Sequence, residues 1–172
     1  MRRHVATVAV LATLVTLVGV GPTASPAGAN TITRTIYPVN ETFTETYLCG
    51  FRVREHYEGT FQVIRYFDAI GHEFKEVDLP YGGPFTVTFS AHGVSLTTQA
   101  QAFSLLTIYS ADGSIESATF RGKVFNFVIP GQGTVALDAG RYSFDSEGNL
   151  TFEAGHHAFL DGDLKELCQA LS

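Results

Sequence analysis

From Phe51 to Phe67 the chain alternates. Odd positions carry Phe51, Val53, Glu55, Tyr57, Phe61, Val63, Arg65 and Phe67; even positions begin Arg52, Arg54, His56, Glu58, Thr60 and Gln62. Successive side chains of a strand point to opposite faces, so this period of two predicts a β-strand with one half-buried face. The stretch would reach about 56 Å if straight, too far for a small domain. Gly59 is the expected bend or break. Glu73 to Leu79 predicts a returning strand, and Phe85 to Ser90 alternates cleanly again. Shorter strands are expected over Val94 to Thr98 and Ala102 to Tyr109, then one or two over Ile115 to Ile129. Thr134 to Phe144 and Leu150 to Gly155 complete the series, and the Thr-rich stretch Asn30 to Tyr47 can supply an edge strand. Asp68 to Gly71, Pro80 to Pro84, His92-Gly93, Asp112-Gly113, Pro130 to Gly133 and Asp145 to Asn149 read as turns and loops. Their Gly, Asp and Asn residues accept positive φ or bond their own backbone.

Two places resist the pattern. Val135 and Leu137 put odd residues inside, whereas Tyr142 and Phe144 put even ones there, which predicts a bulge at Asp138-Ala139-Gly140. Phe120 to Ile129 is apolar on both faces, so its inward side is not readable. The tail differs: Leu164, Leu167, Cys168 and Leu171 recur at helical spacing after an acidic start, predicting a short helix over Asp161 to Leu171. Strands joined by tight turns make an all-β antiparallel domain. A calycin-like barrel of about eight strands with a short C-terminal helix is expected, because closure removes exposed edges; a β-sandwich is the alternative.

Composition adds compartment and exclusions. The chain has 172 residues, 45% hydrophobic and 16% charged, enough apolar content for a packed core. Arg2, Arg3 and His4 precede an uncharged run from Val5 to Val20, followed by Gly21, Pro22, Pro26 and Ala27-Gly28-Ala29. This is the pattern of a secretory signal peptide over 1–29, leaving one secreted β domain over 30–172. As a helix the apolar run rises about 24 Å, short of the roughly 30 Å hydrocarbon core, which argues against a membrane anchor. Without Arg2 and Arg3, nine of the 11 Lys+Arg remain against 17 Asp+Glu, a net charge of −8. Such a chain is expected to repel nucleic acid and anionic lipid, and no later segment is suited to stable membrane insertion.

Cys49 and Cys168 both lie in the exported part, where an even pair is most simply a disulfide; two free thiols are the alternative. Glu55, Tyr57 and Arg65 share the apolar face of their strand and could hold a polar head group inside a barrel. The favoured expectation is that a shift at Gly59 turns one or both charges to water; were both to point inward, they would pair with each other. His156 and His157 are expected as solvent-exposed loop residues; were the last strand to continue past Gly155, the Leu150, Phe152 and Ala154 face would carry His156 inward at the rim, with His157 opposite. No metal-ligand spacing, nucleophile elbow or phosphate-loop context occurs; Gly131-Gln132-Gly133 is a turn, and no cofactor or metal is expected.

Cys49-Gly50-Phe51, the run Phe127 to Arg141, Phe152-Glu153-Ala154-Gly155-His156-His157 and Leu167-Cys168 together resemble a group of small secreted actinobacterial proteins of unassigned function. The resemblance implies export and a terminal bridge, and supplies no catalytic residue. In architecture the domain is similar to the calycin-type barrels, which include lipocalins and allene-oxide-cyclase-like proteins, although the lipocalin Gly-x-Trp signature is missing from a chain without Trp. The first expectation for function is a non-enzymatic barrel binding a small apolar or amphipathic molecule at Glu55, Tyr57, Arg65 and His156. The second is an extracellular protein-interaction or inhibitor domain acting through loops such as Pro80–Pro84 and Gly155–Gly162. The third is a cyclase, isomerase or hydrolase, which needs at least two of Glu55, Arg65 and a histidine at one pocket.

Overall fold

The computed structural model describes residues 30–98 and 101–172; the expected signal peptide lies outside them. Nine antiparallel strands form one sheet: β1 (Thr31–Glu45), β2 (Val53–Phe67), β3 (Glu73–Pro80), β4 (Thr86–Ala91), β5 (Val94–Thr97), β6 (Ala102–Tyr109), β7 (Ile115–Ile129), β8 (Gly133–Asp145) and β9 (Leu150–His157). Two short helices follow, α1 (Ala158–Asp161) and α2 (Lys165–Leu171). The chain is all-β with terminal helices, as its alternation predicts.

β2 is the hub. One edge pairs with β1 along its whole length. The other edge forks: Arg54–Glu58 pair with β4, and Phe61–Phe67 pair with β3. The fork falls at Gly59, whose φ is +152°, and a Cβ there would stand 2.6 Å from Phe85. Only glycine suits this position, and β2 runs through it without a break or a register shift against β1. From β3 the sheet continues through β6, β7 and β8 to β9, while β4 carries β5. Thr98 makes an isolated bridge to Phe127, so the end of β5 meets β7. Among the described residues the outer edges of β1 and β9 have no strand partner, and the ladder is open.

A row of glycines creases the far part of the sheet. Gly122, Gly140 and Gly155 stand directly opposite one another on β7, β8 and β9, each with positive φ. A Cβ at any of them would run into backbone of an adjoining strand: Ala102 O, Ala154 O or Ala139 O respectively. With Gly59 they separate a packed end from an arm.

The packed end holds the core. Val53, Val87, Phe89, Phe127 and Ala136 meet Ala158, Leu164, Leu167 and Leu171, all buried. Each large apolar side chain so buried contributes about 1.5–3 kcal/mol. Asp138 of β8 reaches the first turn of α1, where the Phe159 N–H donates to Oδ2 at 3.2 Å. It supplies the capping contact that His157, at the N-cap position, does not make. The Cys49–Cys168 disulfide ties the turn before β2 to α2.

The arm comprises β3, β6 beyond Phe103, β9 as far as Gly155, and the distal halves of β1, β2, β7 and β8. The helices pack chiefly on the packed end: α1 continues directly from β9 and rests on β8, with Phe159 against Phe89, Phe125 and Phe127, and α2 rests on β4, β5 and β8. Val63 is the arm's one fully buried hydrophobic among the described residues. Ile32, Ile36, Phe74, Leu150 and Phe152 stay exposed.

Three local expectations need correction. The tail is two helices, because Gly162 adopts the left-handed conformation and ends α1 at Asp161. The bulge opposite Asp138 and Ala139 lies on β7, where Lys123 pairs with Ala139 and Phe125 with Asp138, leaving Val124 extra. The parity conflict in β8 arises instead at Val135, skipped between Thr134 and Ala136, so Ala136, Asp138 and Tyr142 share the core side. Finally, residues 155–161 are not a loop but the end of β9 and α1.

Candidate functional site

Because cross-strand partners share a face, the register assigns every strand side chain to the core side or to the opposite side. Glu55, Tyr57 and Arg65 all lie on the core side. Glu55 sits at the packed end, 7% exposed, and accepts a hydrogen bond from the Tyr57 hydroxyl at 2.6 Å. Burial raises its carboxyl pKa; the Tyr57 bond opposes the rise and the Glu45 charge adds to it. Burial, and then the charge of Glu55, also raises Tyr57. Arg65 is ten positions further along β2, about 33 Å of extended chain. Its guanidinium pairs with Glu76 and lies 3.6 Å from Glu73. Glu55 and Arg65 share a face but no site.

Arg65 marks a cluster that composition alone does not reveal. Glu76 and Asp78 follow on β3, with Tyr37 of β1 and Tyr109 of β6 beside them on the core side of the arm. The Tyr109 hydroxyl reaches Glu76 at 3.4 Å. Asp78 is pushed up to about 7, first by burial and then by the charge of Glu76, with Arg65 opposing. One of its oxygens is buried without a partner. Burial and the neighbouring carboxylates likewise raise Tyr37 and Tyr109 to about 12. The available signal was the pairing requirement of Arg65 together with the alternating acids of the next strand.

His156 is exposed, and the buried ring is that of His157, 1% exposed. The inward placement of His156 fails because β9 shifts register between Leu150 and Phe152, so Phe152, Ala154 and His156 lie on the side opposite the core. His157 Nδ1 is 3.3 Å from Asp138 Oδ1, and its ring meets Tyr142 edge-on at 5.0 Å. Burial above all holds Asp138 up at about 6. This pair is enclosed and supports α1.

Two surface hollows are the best formed among the described residues. One of about 110 Å³ is bordered by Thr134, Leu137, His156, Asp163 and Glu166; the other, about 240 Å³, by Arg54, His56, Thr88 and Ser90. Both are smaller than the roughly 300–1,000 Å³ of ordinary ligand pockets. No three His, Cys, Asp or Glu side chains among the described residues are grouped to hold a metal ion. No protein-family model matches the chain, and no curated protein or solved structure does so either.

What remains as the most developed surface is the outer margin of the arm. β1 runs fifteen residues, and its far edge has no strand partner among the described residues. Ile32 and Ile36 project from it, 48% and 52% exposed, on the same side as Ile64 and Val77. The direction of its edge groups follows from the ladder. Tyr81 N–H donates to the Thr60 carbonyl at 2.9 Å, so Thr60 directs its backbone groups away from β1. Pro38, opposite Thr60, has no N–H to give. By the period of two, the N–H groups of Arg34 and Ile36 also face outward.

Proposed function

We propose that the protein is an exported, non-enzymatic interaction domain that holds an extended segment of another protein along the free edge of β1. The unpaired edge over Thr31–Tyr37, with outward donors at Arg34 and Ile36 and uncovered isoleucines beside them, is the observation that carries this reading. Strand addition supplies main-chain hydrogen bonds for affinity, and alternate side chains supply selectivity. The proposed surface is the sheet margin, not the loops. Action outside the cell is supported by the Cys49–Cys168 bridge and the leader-like pattern of residues 1–29. A barrel-like curl belongs to this reading at the packed end, where the Thr98–Phe127 bridge brings β5 against β7. A container for a small apolar molecule has less support, because neither surface hollow has the volume of an ordinary ligand pocket.

The test is an Ile36→Pro chain compared with the unaltered chain 30–172, both immobilised and exposed to culture medium. Proline at an outward position removes one edge donor and leaves the β1–β2 ladder intact. The expected result is a protein captured by the unaltered chain and lost with I36P at unchanged melting temperature, with amide exchange at Arg34 and Ile36 slowed when it is bound. Equal capture by both chains, or unchanged exchange at those amides, overturns the proposal.

A further inference from the structure

The sheet sorts charge by face. Arg34, Arg54, Lys75, Arg121, Lys123 and Arg141 all project from the side opposite the core. The strand carboxylates that the register places on that side are Glu58 and Asp145; Glu116, in a bulge of β7, is assigned to neither face. On the core side of the arm the balance is reversed, with Glu73, Glu76, Asp78 and Glu153 against Arg65. A chain with 17 acidic residues therefore presents one cationic face. None of the six cations forms an ion pair among the described residues. Lys75 instead lies over the Tyr66 ring at 3.7 Å and Arg141 over Phe152 at 4.7 Å. Between the cations stand uncovered apolar side chains, among them Ile32, Ile36 and Phe152.

Cations without counterions, interleaved with exposed isoleucine and phenylalanine, match a surface that is anionic on top and apolar just beneath. We propose that this face docks flat on an anionic phospholipid membrane, its Arg and Lys groups on headgroup phosphates and its apolar side chains at the acyl boundary, without insertion. A soluble anionic polymer would leave the isoleucines unused. A second copy meeting the same face would oppose like charges. The expected repulsion of anionic lipid treats the net charge as evenly spread, whereas strand parity gathers the cations on one side.

The test is sedimentation of the chain 30–172 with phosphatidylcholine vesicles, with and without about 30% phosphatidylglycerol. Binding to the anionic vesicles alone is expected, with release as salt rises from about 0.05 to about 0.5 M. Arg121→Glu with Arg141→Glu should weaken binding at least about tenfold. Ile32→Ser with Ile36→Ser should weaken it as well. Arg34→Ala with Arg141→Ala provides a milder loss of charge should the double reversal disturb the fold, as read by melting temperature. Equal binding to both vesicle types, no binding, or indifference to these substitutions overturns the proposal. So does binding to inorganic polyphosphate in place of vesicles, or a dimer in sedimentation equilibrium that hides this face. The I36P chain should keep most of its vesicle binding, which separates this test from that of strand addition.

Discussion

Asp78 shows what one residue can report about the arm. Its carboxyl is raised to about 7, so between its unfolded value near 4 and pH 7 the folded chain holds a proton that the unfolded chain has lost. Stability from this group therefore falls as pH rises through that window, and the cost is fully present above pH 7. Asp78→Asn removes the charge and should stabilise the chain by about 1–3 kcal/mol at pH 8, with no gain below pH 4. Urea titrations at both ends of the range check it; a gain independent of pH would show that Asp78 is not buried as a carboxylate. Only part of this was legible in the sequence. The expected register shift at Gly59 does not occur, so Glu55 and Arg65 stay on one face; their separation along β2 and the assembly of Glu76, Asp78 and Tyr109 around Arg65 depend on strand pairing. His156 is exposed as expected, but the conditional inward placement of His156 fails and His157 is buried, because β9 runs on to pair His157 with Asp138 and its register shift is invisible in its own alternation.

At the level of elements, the hydrophobic period located the strands well, because a chain that buries one face must repeat every second residue. β2, β3, β6 and β7 fall close to their expected spans, and at Gly59 β2 changes partner from β4 to β3 without a break. The crease was not legible. Gly122, Gly140 and Gly155 are unremarkable in sequence and become a line only when three strands are in register. Gly140→Ala tests that line. Its φ of +142° disfavours any side chain, and the added Cβ meets the Ala154 carbonyl and the Gly155 Cα, both backbone atoms. β8 must shift against β9, so a loss of about 2–4 kcal/mol is expected in chemical denaturation, with amide exchange fastest in β9. Gly148→Ala, in an open turn with nothing near its Cβ, shares the positive φ without the collision and should cost about 1 kcal/mol. Equal losses at the two positions would mean that backbone conformation alone, not close strand approach, holds the crease.

For the whole molecule the question is what keeps a sheet with one covered end and one bare arm in a single shape. The helices cover only the packed end, and α2 has seven residues, too few to persist alone in water. Its place is fixed by the burial of Leu167 and Leu171 and by the bond from Cys168 to Cys49, 119 residues away in sequence. Loop closure of that length removes about 4–5 kcal/mol of unfolded-state freedom in the chain-entropy account, and native bridges of this kind are worth about 2–5 kcal/mol when removed. Cys49→Ser with Cys168→Ser should therefore lower the melting temperature by about 6–15 °C. Exchange protection should be lost first in α2 and in the parts of β4, β5 and β8 on which it rests. The arm draws little from that core, so its exchange should change least under conditions where the packed end opens locally. A melting temperature unmoved by the double substitution would show that apolar contacts alone seat α2. Protection lost evenly from both ends would show that packed end and arm open as one cooperative unit despite the glycine line between them.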